Sequence, residues 1–209
     1  MKGTVLLVPG IGFGGAEMFF LSWRLRRQGY EVKIFRHCPW RGTLSDKALA
    51  LATATDRIDA SVVHFVGHSM GGLIVLHFLA RRPRQRPGRV VLLGTPINGS
   101  VAARRLLTLP LGRFLIGRCM SDASASAPLP LPPNRDIGSI AGWINLVVGW
   151  LLWLPRPNDT LVAVRETQRP DLKDSVVLAA SHGSMLLSSR VAGSITSFLR
   201  TGSFVAAVA

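Results

Sequence analysis

Short apolar runs and longer amphipathic runs succeed one another along the first half of this chain. Thr4–Val8, Glu31–Arg36, Val62–Val66 and Arg89–Leu93 are short, rich in Val, Leu, Ile and Phe, and bounded by turn residues, which predicts strands. Between them, Ala16–Gln28 places Met18, Leu21 and Leu25 at helical spacing with arginines on the other faces, and Gly29 stops it. Ser45–Ile58 reads as a second helix, with Ser45 available as its N-cap, and Ser69–Arg82 as a third, ended by Pro83. Apolar strands alternating with helices predict a parallel sheet covered on both faces.

The regularity then lapses. A short helix over Ser100–Leu107 precedes Ser121–Pro133, a Ser/Ala/Pro-rich stretch that reads as a flexible connection or lid rather than core. A lid-like insertion is therefore expected over about 100–135. Asp136–Ala141 is the next strand; Ile137–Leu154 as a whole reads as strand plus apolar loop, interrupted by Gly138, Gly142, Asn145 and Gly149. Leu161–Gln168 is helix-like, Ser175–Ala180 the last strand and Ser188–Thr201 the last helix. The expected architecture is one α/β domain over residues 1–209, with a compact, mostly parallel sheet of about six strands.

Within this frame one turn carries chemistry. Gly67-His68-Ser69-Met70-Gly71 joins the third strand to the third helix. A serine hydroxyl is a poor nucleophile unless the backbone lifts it toward a base. A sharp strand-to-helix turn does so, and small residues two before and two after the serine let it close. The turn also sets Ser69 at a helix start, where free N–H groups favour developing negative charge. Gly-x-Ser-x-Gly arises by chance in Gly/Ser-rich loops; the flanking strand and helix favour a nucleophile elbow.

A nucleophilic serine needs a base, an acid to orient the base, and an oxyanion hole. In elbow-type hydrolases these follow in the order Ser, Asp/Glu, His. His182 is the only histidine after Ser69 outside the helix that Ser69 opens, and it follows the last strand, on the edge where open α/β sheets bind ligands. His37 precedes the serine, His64 lies within a strand, His68 belongs to the elbow and His77 lies two turns down the helix. Candidate acids are Asp122, Asp136, Asp159, Glu166, Asp171 and Asp174. Asp136, Asp171 and Asp174 fall at the amino ends of strands and Asp122 in the Ser/Ala/Pro stretch. Asp159 reaches the right edge if 142–157 is an excursion that returns there; its structural alternative is to cap a helix. The expected oxyanion donors are the main-chain N–H groups of Met70 and of Ile11, in the first glycine-rich loop.

Charge and hydropathy widen the field, then narrow it. A net charge of +14 comes from 25 basic and 11 acidic residues, with arginine far outnumbering lysine. The arginines are dispersed and lack interleaved aromatics, which argues against dedicated nucleic-acid binding, although nonspecific attraction to anionic lipid or nucleic acid follows from the sign. Mean hydropathy is high, +0.32, yet no apolar run reaches the roughly 18–20 residues of a spanning helix; peripheral contact with an anionic membrane is the minority reading of the 137–154 stretch. The apolar N-terminal run ends in Pro9-Gly10 rather than at a small-residue cleavage site, so a first strand and a cytoplasmic protein are expected. Cys38 and Cys119 have no metal spacing; free thiols, no metal and no cofactor are expected. One rival stands. Gly10-Ile11-Gly12 with Gly15 fits the dinucleotide fingerprint, and Glu31 could be its acidic residue.

Taken together, these segments resemble the α/β-hydrolase superfamily, more narrowly its small bacterial esterase/lipase-like members. The resemblance rests on Leu7-Val8-Pro9-Gly10-Ile11-Gly12, Val66-Gly67-His68-Ser69-Met70-Gly71-Gly72, Val91-Leu92-Leu93-Gly94-Thr95-Pro96-Ile97-Asn98-Gly99-Ser100, Pro157-Asn158-Asp159-Thr160-Leu161-Val162, and His182. It implies a Ser69–His182–Asp159 triad with Ile11 and Met70 as oxyanion donors. Three departures mark this chain: Pro9-Gly10 in place of His-Gly, Thr160 where a glycine commonly follows the acid, and no counterpart of the family's first two strands. Phe13, Met70, Trp143, Trp150, Leu151, Leu152, Trp153 and Met185 gather near the expected mouth, as core packing or as an acyl pocket or lid. The expected activity is hydrolysis of a small-molecule, lipophilic acyl ester. A thioesterase or acyltransferase on the same fold, or a noncatalytic binding protein, is the alternative.

Overall fold

A computed structural model describes residues 2–12, 14–38, 40–125 and 130–204. Six strands form one sheet: β1 (Thr4–Val8), β2 (Glu31–Ile34), β3 (Val63–His68), β4 (Val90–Leu93), β5 (Ile137–Gly142) and β6 (Asp174–Leu178). Their spatial order is β2-β1-β3-β4-β5-β6, and every neighbouring pair is parallel. The helices are α1 (Phe19–Arg27), α2 (Leu44–Asp56), α3 (Met70–Arg81), α4 (Val101–Leu107), α5 (Gly112–Ala125), α6 (Val147–Leu151) and α7 (Ser189–Thr201).

The sheet divides the core in two, because successive residues of a strand point to opposite faces. Leu6, Val8 and Phe65 pack with α2, α3 and α5, whereas Val5, Leu7 and Val66 pack with α1 and α7. Central strands β1, β3, β4 and β5 are buried throughout, which is why Thr4–Val8, Val62–Val66 and Arg89–Leu93 read as mostly apolar runs. Edge strands β2 and β6 alternate between exposed and covered positions.

Three details differ from the sequence-based expectation. The N-cap of α2 is Thr43, not Ser45: Thr43 Oγ1 accepts from the Asp46 N–H at 3.1 Å, and Asp46 Oδ2 accepts from the Thr43 N–H at 2.8 Å. Asp46 stands three residues after Thr43, so only Thr43 completes a reciprocal capping box. Ser45 instead lies 3.3 Å from His77 Nε2. Within the expected lid, α5 kinks at Gly117 (φ 71°) and seats Ile116, Cys119 and Met120 in the core beside α2. Composition alone hid those anchors. Finally, Leu161–Gln168 contains only a 3-10 turn, Val164–Glu166, because Asp159 and Glu166 draw the local N–H groups into turns.

Candidate functional site

The elbow is built on close approaches that only glycine permits. A Cβ on Gly67 would lie 2.5 Å from Gly72 Cα, on Gly71 2.0 Å from the Val8 carbonyl oxygen, and on Gly72 2.1 Å from Thr95 Oγ1. So α3 is pressed against β1, β3 and the end of β4. Ser69 takes the consequence: φ 54° and ψ −127°, a conformation that costs a side-chain-bearing residue free energy and persists where packing enforces it. Its N–H donates to the Leu93 carbonyl at 2.8 Å, locking the turn to β4. Gly10 lies against the same turn, its absent Cβ 2.8 Å from Ser69 Cβ and 3.3 Å from the Met70 nitrogen. The loop carrying Ile11 therefore meets the α3 N-terminus beside Ser69. The Met70 side chain is fully buried, so only its main chain is available there.

His182 and Asp159 meet beside Gly94, just past the end of β4. His182 Nδ1 lies 2.8 Å from Asp159 Oδ2, with both side chains buried. The other Asp159 oxygen accepts the N–H groups of Leu161 and Val162 at 3.0 and 2.8 Å, so one carboxylate caps its own turn and orients the ring. The His182 N–H donates to the Asp159 carbonyl at 2.7 Å. With Nδ1–H committed to a carboxylate, the lone pair of the neutral ring sits on Nε2.

His68 completes the clamp. Its Nε2–H donates to the His182 carbonyl at 2.9 Å, and the two rings lie 4.6 Å apart. Burial, with His182 close by, pushes the His68 pKa down to about 3, so it stays neutral and acts as a fixed donor. Gly94 forms the floor. At φ +52°, a Cβ there would meet Asp159 Oδ2 at 2.8 Å and His182 Nδ1 at 3.1 Å. Gly94 follows Leu93, the partner of Ser69 N–H, so it links the elbow to the Asp–His pair. In the sequence its signal was the Gly94-Thr95-Pro96 segment, which pointed to the family but not to this contact.

The turn after the acid closes without the usual glycine. Thr160 adopts φ +103° and is buried. Its N–H donates to Asn158 Oδ1 at 3.0 Å; its Oγ1 accepts from the Leu146 N–H at 3.0 Å and donates to the Ile144 carbonyl at 3.3 Å. These bonds hold a backbone conformation that threonine avoids. They also tie the 143–151 loop to the residue beside Asp159. The other acids are engaged elsewhere: Asp136 with Arg89 and Asp171 with Arg169. Asp174 binds the Phe204 N–H, and Glu166, buried, binds the N–H groups of Val101 and Ala163.

The dinucleotide reading fails on geometry. Glu17 fills the glycine loop: its carboxylate accepts the Gly15 N–H at 3.0 Å and lies where a Gly12 Cβ would be. A carboxylate there repels a pyrophosphate. Glu31 opens β2 at its amino end and binds Thr4 and Lys33, on the wrong edge for a ribose.

Of the expected pocket residues, Phe13 lies outside the described residues. Met185 is corrected: its side chain is fully buried in the core against the α1/α7 face, because the turn after His182 folds it inward. The tryptophans are not core. Trp143, Trp150 and Trp153 are 52%, 65% and 82% exposed, so they form a surface rim rather than an enclosed pocket. Among the described residues no helix is long and apolar enough to cross a membrane, and no cluster of His, Cys, Asp and Glu suits a metal.

No family model matches the sequence, and no curated protein matches it significantly. Solved structures do match. The mature lipase BlEst2 of Bacillus licheniformis superposes with a TM-score of 0.75 at 17% identity, over 98% of this chain and 93% of the other. A lipase-esterase related protein of Clostridium acetobutylicum gives 0.64 at 16% identity, over 93% of each chain. Tomato methylketone synthase I gives 0.65 at 14% identity, over 97% and 98%. The fold is that of the α/β-hydrolases.

Proposed function

We propose that this α/β-hydrolase-fold chain is a serine hydrolase that cleaves a carboxylic ester with a lipophilic acyl group. The observation that carries the reading is the buried 2.8 Å Asp159–His182 pair set against Gly94, one residue from the strand position that holds Ser69. Support comes from Gly94, which touches the Asp159–His182 pair and follows Leu93, the residue that accepts the Ser69 N–H. The lipase and esterase names among the structural neighbours agree with it.

In this reading His182 Nε2 takes the Ser69 proton as Oγ attacks the acyl carbon. Negative charge passes to the carbonyl oxygen, which the N–H groups of Ile11 and Met70 stabilise, together with the α3 dipole. Collapse breaks the acyl–oxygen bond; the departing alkoxide takes the proton from His182 and leaves as the alcohol. Water then repeats the sequence, giving its proton to His182 and releasing the acid and free Ser69. Asp159 keeps the ring in the tautomer that presents Nε2 and stabilises the imidazolium. A thiol ester would pass through the same acyl-enzyme, and an alcohol in place of water would make the chain a transferase. The Glu17 carboxylate at Gly12 and Gly15 gives no support to a redox role.

Ser69→Ala is expected to abolish turnover of a short p-nitrophenyl ester while far-UV circular dichroism stays unchanged. Undiminished turnover would reject the assignment.

A further inference from the structure

The segment after β5 exposes apolar surface that the catalytic reading does not use. Trp143, Leu146, Trp150, Leu151 and Trp153 all stand at least half exposed within eleven residues, 143–153. The backbone makes the choice of Trp153 unusual. Leu154 N–H donates to the Gly149 carbonyl at 3.1 Å and Trp153 N–H to the Trp150 carbonyl at 2.9 Å, the bond pair of a Schellman helix end. In that motif the left-handed position belongs to glycine, yet here Trp153 holds it, at φ 47°, with its ring the most exposed in the segment. Neither folding nor solubility favours a tryptophan there.

The charge beside the rim has one sign. Arg156 lies with its guanidinium 5.0 Å from the Trp150 ring, and Arg105 donates to the Leu152 carbonyl, joining the segment to α4. Residues 137–158 contain no Asp or Glu, and the whole chain carries +14. Two such surfaces repel one another, which disfavours a second copy as occupant. Indole rings flanked by arginines suit the headgroup level of a bilayer, where the ring is amphipathic and the guanidinium meets phosphate.

We propose that the 143–156 rim docks on the surface of an anionic lipid bilayer. The Thr160 bonds to Leu146 and Ile144 then place the docked loop directly beside the Asp159 turn, which sets the Asp159–His182 pair next to the lipid-facing rim. The orientation clause rests on the acyl-ester reading; the docking does not, and it is tested on catalytically dead protein.

Full-length Ser69→Ala protein is sedimented with vesicles of phosphatidylcholine alone, or of phosphatidylcholine and phosphatidylglycerol in equal parts, at low and high salt. Binding to the anionic vesicles is expected, weakened by salt, with a blue shift of tryptophan emission. Trp150→Ser/Trp153→Ser is expected to weaken it about tenfold or more. Trp153→Gly separates folding from docking: it is expected to raise the urea midpoint, because glycine suits φ 47°, while lowering vesicle binding. Three results would overturn the proposal: no binding to anionic vesicles, equal binding by the double variant, or a concentration-dependent dimer that the double variant abolishes. Vesicle binding with an inactive wild-type enzyme would leave the docking intact and remove the hydrolase reading.

Discussion

Gly94→Ala adds one methyl group to a residue that takes no part in the chemistry, so its effect isolates the geometry of the Asp159–His182 pair. The new Cβ would stand 2.8 Å from Asp159 Oδ2, 3.1 Å from His182 Nδ1 and 3.2 Å from Cε1. Ordinary contacts of carbon lie near 3.5 Å, so the pair must retreat by roughly 0.5 Å or more. A 1 Å misplacement at a reacting centre costs about 10²-fold, which puts the expected loss of kcat at roughly 10- to 100-fold. The φ of +52° adds about 1–2 kcal/mol of backbone strain, and the contact raises the total destabilisation to roughly 2–4 kcal/mol. Initial rates on a p-nitrophenyl ester give the first quantity and urea unfolding the second. Gly183→Ala is the control. Gly183 neighbours His182, but a Cβ there meets nothing within 4 Å and its φ is −79°, so both quantities should stay near wild type. Wild-type activity in Gly94→Ala, measured on folded protein, would refute the argument that this pair drives catalysis.

Two further outcomes concern the supports of the site. Thr160→Val keeps the shape and the positive φ but leaves the Leu146 N–H and Ile144 carbonyl unpaired; a loss of about 1–3 kcal/mol in urea unfolding and a lower kcat are expected. His64 is buried in β3, its Nδ1 accepting the Arg89 N–H, and burial lowers its pKa to about 4. A histidine whose folded pKa is depressed adds stability that is fully present above its unfolded value near 6.5 and lost as pH falls toward 4. Between pH 7 and 4.5 that loss is about 2 kcal/mol, so His64→Gln should flatten the pH dependence of the urea midpoint by about that much; an unchanged slope would contradict it.

Much of the fold was legible because the sheet is parallel and covered on both faces. Thr4–Val8 and Val62–Val66 had to be mostly apolar runs, and Pro83 and Gly29 marked helix ends. The parts that were not legible depend on contacts distant in sequence. Ser121–Pro133 gave no hint that Cys119 and Met120, just before it, anchor α5 in the core. Thr43 outcompeted Ser45 as a cap only through Asp46. At the site, Asp159 and His182 could be chosen by order and sheet edge, whereas the pairing itself is a tertiary fact. Thr160 shows why a motif rule can be broken: side-chain bonds to Asn158, Leu146 and Ile144 substitute for the freedom of glycine. The tryptophans defeated pattern reading because an apolar ring looks the same in sequence whether it is buried or displayed.

The central claim is that Ser69 is an activated nucleophile, and a fluorophosphonate tests it without knowledge of the natural substrate. The reagent is attacked by an activated serine and leaves a stable phosphonyl ester. The account predicts one adduct, on Ser69 by peptide mass spectrometry, absent from Ser69→Ala and strongly slowed in His182→Ala. A folded wild-type protein that takes no label, or that carries it on another residue, would contradict the account.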